Sequence, residues 1–168
     1  MAMLSANHEI LEFAGNNSNV EGMATTSVAV FLSAGRAYWG HVGDSRIYFY
    51  SKGKLVQLTK DHSLVQKMVD EGLITDTVAK NHPYKNVIIR ALGETDGLTV
   101  DYSQFDLPSE DSWKILLCSD GVSNQITKEE LTILLKEEEL DYISDKIINL
   151  VEDRGSPDNY TFILISKR

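Results

Sequence analysis

Three aspartates carry the sharpest chemical signal in this sequence. Asp44 follows the run Ala-Tyr-Trp-Gly-His-Val-Gly, Asp120 follows Ile-Leu-Leu-Cys-Ser, and Asp158 precedes Asn-Tyr-Thr-Phe-Ile-Leu-Ile. Each run reads as a strand, and each aspartate has a neighbour that permits a turn: Gly43, Gly121 and Asn159. Strands hold such side chains rigidly, and a flanking glycine lets the backbone approach an ion or turn sharply. Carboxylates converging without Cys or His partners select a hard cation, Mg²⁺ or Mn²⁺. A zinc site is not indicated, because there is no Cys pair or His-rich spacing. Taken singly, Asp beside Gly is also an ordinary turn, and spacing alone does not bring the three together.

Other reactive side chains make weaker cases. Cys118 sits in an apolar run with no His or Arg-rich phosphate loop after it, and reads as a buried core thiol. His62, in Asp61-His62-Ser63, could act as a base, but Asp-His-Ser before a helix is more simply capping chemistry. His8, His41 and His82 have no evident companions. Trp39 and Trp113 lie in strand-like runs and read as core or sheet-face residues. Glu137, Glu138 and Glu139 read as a solvated helix end.

The elements that must position the aspartates follow from periodicity. Apolar residues at helical spacing over residues 3–13 predict a helix stopped by Gly15, followed by a polar loop. Residues 25–32, β-branched and apolar, read as a buried strand. Runs at 36–42, 46–50 and 55–58, separated by short turns, read with it as an antiparallel meander. A helix is expected from residue 64 to Gly72, then an irregular excursion to residue 92 with little helix. Strands are expected at 98–105, 113–118 and 160–165. Thr127 and Glu130 have capping-box spacing and open a helix to about residue 136, with another at 142–151. Strands grouped apart from helices predict an α+β fold.

The totals narrow the function classes. At 168 residues the chain fits one domain, and 42% hydrophobic residues can build a core. The net charge of −9 and the lack of any Lys/Arg run argue against nucleic acid and anionic membranes as partners. A bound cation would invert that sign locally for a phosphorylated partner. One cysteine, no apolar run of membrane-spanning length and no leader-like N-terminus lead to the expectation of a cytoplasmic protein.

Six segments together resemble a known family. Gly22-Met23-Ala24-Thr25-Thr26, Val42-Gly43-Asp44-Ser45-Arg46, Leu58-Thr59-Lys60-Asp61-His62-Ser63, Arg90-Ala91-Leu92-Gly93, Leu117-Cys118-Ser119-Asp120-Gly121 and Ser156-Pro157-Asp158-Asn159-Tyr160-Thr161 are similar to the successive motifs of bacterial metal-dependent Ser/Thr protein phosphatases of the 2C (PPM) type. The resemblance implies a β-sandwich flanked by helices, in four α/β/β/α layers. It implies that Asp120 and Asp158 are ligands of a binuclear Mg²⁺ or Mn²⁺ centre, and that Asp44 with Asp120 holds a third, weaker ion. The implied reaction is hydrolysis of phosphoserine and phosphothreonine in a phosphoprotein substrate by a metal-activated water, without a phosphoenzyme. Residues 60–92 would be the flap beside the active site.

The sequence also departs from that pattern. The family's acidic pair on its first strand, a phosphate-gripping Arg and a DGxG motif have no counterpart, and Asp96-Gly97 is followed by Leu-Thr. The expectation is a partial catalytic domain over residues 1–168, incomplete at its N-terminus. Two consequences follow: exposed edges that favour homodimerisation or strand exchange, and, as an alternative function, a catalytically impaired binding or regulatory module. Ala24 stands where the family usually has Gly, which is tolerable at negative φ and costly otherwise.

Overall fold

The computed structural model describes residues 2–167. Helix α1 (Ala2–Asn16) leads through a 3₁₀ turn into β1 (Ser27–Ser33), β2 (Arg36–Val42), β3 (Arg46–Ser51) and β4 (Lys54–Gln57). Helices α2 (Leu64–Asp70) and α3 (Asp76–Lys80) follow, then β5 (Asp101–Asp106) and β6 (Trp113–Cys118). The chain ends with α4 (Asp120–Ser123), α5 (Lys128–Leu134), α6 (Leu140–Asp153) and β7 (Phe162–Lys167). The α+β reading is met; the short helix α4, directly after β6, is an element that apolar spacing over four residues could not reveal.

The meander divides. β1, β2 and β5 form one sheet in the order β1-β2-β5, while β3 and β4 belong to a second, β4-β3-β6-β7. The break falls at Gly43, whose φ is +108 and whose added Cβ would lie 2.4 Å from Thr26 Cγ2. A left-handed residue with no room for a side chain turns the chain out of one ladder before it starts the next. In the second sheet all three pairings are antiparallel, with Ile47 opposite Leu117 and Leu116 opposite Leu164.

The strand expected to be buried at 25–32 is instead an edge. β1 has no buried residue, and Phe31 is 67% exposed. Apolar, β-branched composition fits any pleated surface and does not say which strand acquires two neighbours. Ala24, by contrast, is unstrained: the non-glycine residues at positive φ among those described are Ala34, Lys52 and Ser156.

The chain divides into two compact units. One comprises the N-terminal stretch to Val30 with Tyr38–Asp44 and Lys60–Ser103; the other comprises Phe31–Ala37, Ser45–Thr59 and the chain from Gln104 onward. The core of the second is built on β6, all six of whose residues are buried. Leu116 and Cys118 face Tyr48, Tyr50 and the helices, through Val122, Leu131, Ile143, Ile147 and Val151. Cys118 is thus the core thiol expected, free and 2% exposed. Helix α5 begins at Thr127 with the anticipated capping box: Thr127 Oγ1 accepts the Glu130 amide, and Glu130 Oε2 accepts the Thr127 amide. The first unit has a smaller apolar cluster, Val42, Leu92 and Leu98, against which Met3, Ala6 and Ile10 of α1 pack.

Candidate metal centre

Asp120 and Asp158 belong to the same unit and lie on segments that are stitched together. Asp120 is the first residue of α4, two residues beyond the buried strand β6. Asp158 is in the loop from α6 to β7, where its Oδ1 accepts the Asn159 amide at 2.7 Å. The Ser119 amide donates to Thr161 O at 3.0 Å, and the Thr161 amide returns to Ser119 Oγ at 3.1 Å. Gly121 is pressed so close that an added Cβ would be 2.3 Å from Asn159 O. Any side chain there would push the two segments, and their carboxylates, apart.

The electrostatics register that proximity. Burial raises the Asp120 carboxyl above the ordinary value, and the charge of Asp158 raises it further; Arg46 opposes this less strongly. Asp120 is half-buried and Asp158 exposed; the like charges of two neighbouring carboxylates repel, and a divalent cation relieves the repulsion. The donor set is all oxygen, as Mg²⁺ and Mn²⁺ require. An open cavity of about 460 Å³ borders Asp158 along Ser156, Pro157, Asn159 and Tyr160. Asn124 Nδ2 donates to Asp120 Oδ2 at 3.4 Å. The residues present therefore fit a hard cation.

Asp44 lies in the other unit, half-buried, at the end of the stretch Tyr38–Asp44. The peptide before it is held by His62, while the capping expected of Asp61-His62-Ser63 falls to Ser63. The helix cap is Ser63, whose Oγ accepts the Gln66 amide at 3.3 Å. His62 instead clamps Gly43 from two sides: its amide donates to Gly43 O at 2.7 Å, and its Nδ1 accepts the Gly43 amide at 3.1 Å. With Nδ1 accepting, the ring proton of neutral His62 is assigned to Nε2, which lies 3.1 Å from Asp101 Oδ2.

His41 also has companions that its sequence context did not reveal. Its ring is fully buried, with its centroid 4.5 Å from that of His62. The ligand atoms of His41, His62 and Asp101 fall within 4.8 Å of one another. Arg90 already supplies the positive charge there, with Nη1 2.9 Å from Asp101 Oδ1 and 3.0 Å from His62 Nε2. Burial, then the neighbouring His62, holds the His41 pKa down to about 4. Burial also lowers that of His62. The cluster is a histidine and ion-pair network tied through His62 to Gly43, the residue before Asp44. The motifs containing His62 and Arg90 were its hints in the sequence.

Residues 2–156 match the profile of the protein phosphatase 2C family. The chain is 37% identical over 162 residues to the serine/threonine phosphatase stp of Listeria monocytogenes, covering 96% of this chain and 64% of that protein. The Mycobacterium tuberculosis serine/threonine phosphatase PstP superposes with a TM-score of 0.88 at 33% identity, covering 95% of this chain and 66% of that one. The catalytic domain of PstP solved in complex with two manganese ions gives a TM-score of 0.84 at 32% identity, covering 95% and 65%. The chain thus spans slightly less than two thirds of the length of the Listeria relative and of these two solved chains.

Proposed function

We propose that this chain, which belongs to the protein phosphatase 2C family, serves metal-dependent hydrolysis of phosphoserine and phosphothreonine in proteins, with Asp120, Asp158 and Asp44 as the carboxylates it supplies to Mg²⁺ or Mn²⁺. The observation that carries this reading is the stitched pair of segments bearing Asp120 and Asp158, in a family with a relative solved holding two manganese ions. When bound, the ions supply a water of lowered pKa and neutralise the phosphoryl oxygens.

The chain's own residues do the positioning. The buried strand β6 fixes Asp120, and the Ser119–Thr161 bonds fix the entry to β7, so the two carboxylates are held before any ion arrives. His62 holds the Gly43–Asp44 peptide in its left-handed turn. The excursion over residues 60–92 serves as the flap that contacts the phosphoprotein: Leu73, Val78 and Tyr84 are exposed there, and apolar groups outside a core suit contact with a partner. Residence in the cytoplasm accords with the reduced, buried Cys118. Among the described residues, no helix is long and apolar enough to cross a membrane. The open edge of β1, with Phe31 exposed, is where a second copy would pair.

The test is turnover of p-nitrophenyl phosphate and a phosphothreonine peptide with Mn²⁺, alongside calorimetric Mn²⁺ titration. Asp120→Ala should lower both turnover and Mn²⁺ affinity by at least about a hundredfold, since it deletes a proposed ligand outright. Turnover that persists in that variant would sink the assignment. Mn²⁺ binding without turnover would instead mark a phosphatase-like binding module.

A further inference from the structure

We infer that Arg154 is a positioning residue that sets the separation of Asp120 and Asp158 by clasping the segment after one to the loop before the other. The inference rests on the metal-centre reading above and extends it to a side chain remote from the carboxylates.

The segments are tied at two points. The inner tie is the pair of Ser119–Thr161 hydrogen bonds. The outer tie is Arg154, whose Nη1 donates to the backbone carbonyl of Gln125. Gln125 is five residues beyond Asp120, next to the C-cap Asn124 of α4, and Arg154 is four residues before Asp158. Both aspartates therefore lie between the ties.

The clasp is itself braced. Arg154 Nη2 lies 2.5 Å from Glu130 Oε1 and Nη1 lies 3.1 Å from Glu130 Oε2, a two-pronged ion pair. Glu130 is in turn oriented by its capping box with Thr127. The guanidinium therefore docks on a carboxylate whose rotamer the helix has already selected, and a planar fork holds direction as well as distance.

Beyond Arg154 the path to Asp158 is dictated by the helix end. Arg154 is the C-cap of α6; the Gly155 amide donates to Glu152 O at 2.9 Å and the Ser156 amide to Val151 O at 3.0 Å, a Schellman motif. Ser156 is held at φ +38, a left-handed conformation that a non-glycine residue keeps only when its surroundings enforce it. A loop this constrained transmits the position of Arg154 to Asp158. Cutting the outer tie leaves Asp158, itself exposed, anchored from one side only.

The experiment is Mn²⁺ titration of the full chain, read by electron paramagnetic resonance of free Mn²⁺, well below each variant's thermal midpoint. Arg154→Met keeps the stem and removes the fork; it should weaken Mn²⁺ binding about tenfold, the low end for residues that orient ligands. Arg154→Lys should recover part of the loss, because one ammonium cannot span both Glu130 oxygens and Gln125. Glu130→Gln should weaken binding less than Arg154→Met. A core variant of the same unit, Leu135→Val, lowers the thermal midpoint and should leave Mn²⁺ affinity unchanged. Wild-type affinity in folded Arg154→Met, with Asp120→Asn losing it, overturns this inference alone. If Arg154→Met does not fold, wild-type affinity in both Arg154→Lys and Glu130→Gln overturns it. Mn²⁺ binding that is absent in the wild type, or indifferent to Asp120→Asn, overturns the metal-centre reading and this inference together.

Discussion

In the unit built on β6, twelve buried residues form a mainly aliphatic core and the charged groups stand at its rim. In the unit containing Val42, an apolar cluster of three shares the interior with two histidines, His41 and His62, next to an Arg90–Asp101 pair. Both units present a proposed metal ligand beside a glycine that tolerates no side chain, Gly43 or Gly121. The Val42 unit presents it by a polar clamp and the β6 unit by stitched backbone segments. A rim site on an apolar core depends on packing behind it, whereas a polar clamp depends on the protonation state of its members.

That contrast can be broken in order of effect. Ile147→Ala, in the β6 core, should cost about 3–4 kcal/mol of global stability, read by denaturant unfolding, because a fully buried side chain leaves a cavity. A loss under about 1 kcal/mol would show that the apolar core is not what supports that unit.

Acid should act on the other unit. The unfolded chain protonates His41 near 6.5, while the folded chain resists until about 4. Between those values the unfolded state binds more protons, so stability is fully present above pH 6.5 and falls as the pH drops toward 4. The loss amounts to at most about 3 kcal/mol. His62 adds repulsion to a charged His41, while Asp61 and Asp101 soften it. Hydrogen exchange across 38–44 and 60–103 should accelerate over that window, and His41→Leu should flatten the dependence. An equal acceleration across 113–153 would remove the distinction between the units.

The smallest effect sharpens the comparison at the helix cap. Thr127→Ala removes the acceptor for the Glu130 amide and should cost about 1 kcal/mol, measured by thermal unfolding.

Particular residues show what could be read from the chain. Thr127 and Glu130 announced a helix start because capping is a contact three residues long, and the structure has it. Cys118 announced a core because the run Ile115, Leu116 and Leu117 before it is apolar. Ser63, not His62, caps α2, since both lie at the same helix entry and only the three-dimensional path decides which side chain turns inward. β1 read as buried because side-chain type reports a preference for pleated surface, while burial depends on which strands arrive on either side.

By itself the sequence determined the nature of most elements, the α+β class, the family, and the aspartates at turns after or before apolar strands. Those are local patterns, written in periods of two or 3.6 residues and in motifs of a few positions. Only the tertiary structure decided that the meander splits at Gly43, that His41 and His62 meet, and that Arg154 reaches back to Gln125. Each of those joins residues 17 or more positions apart, and no local pattern encodes a partner that only packing of the whole chain brings near.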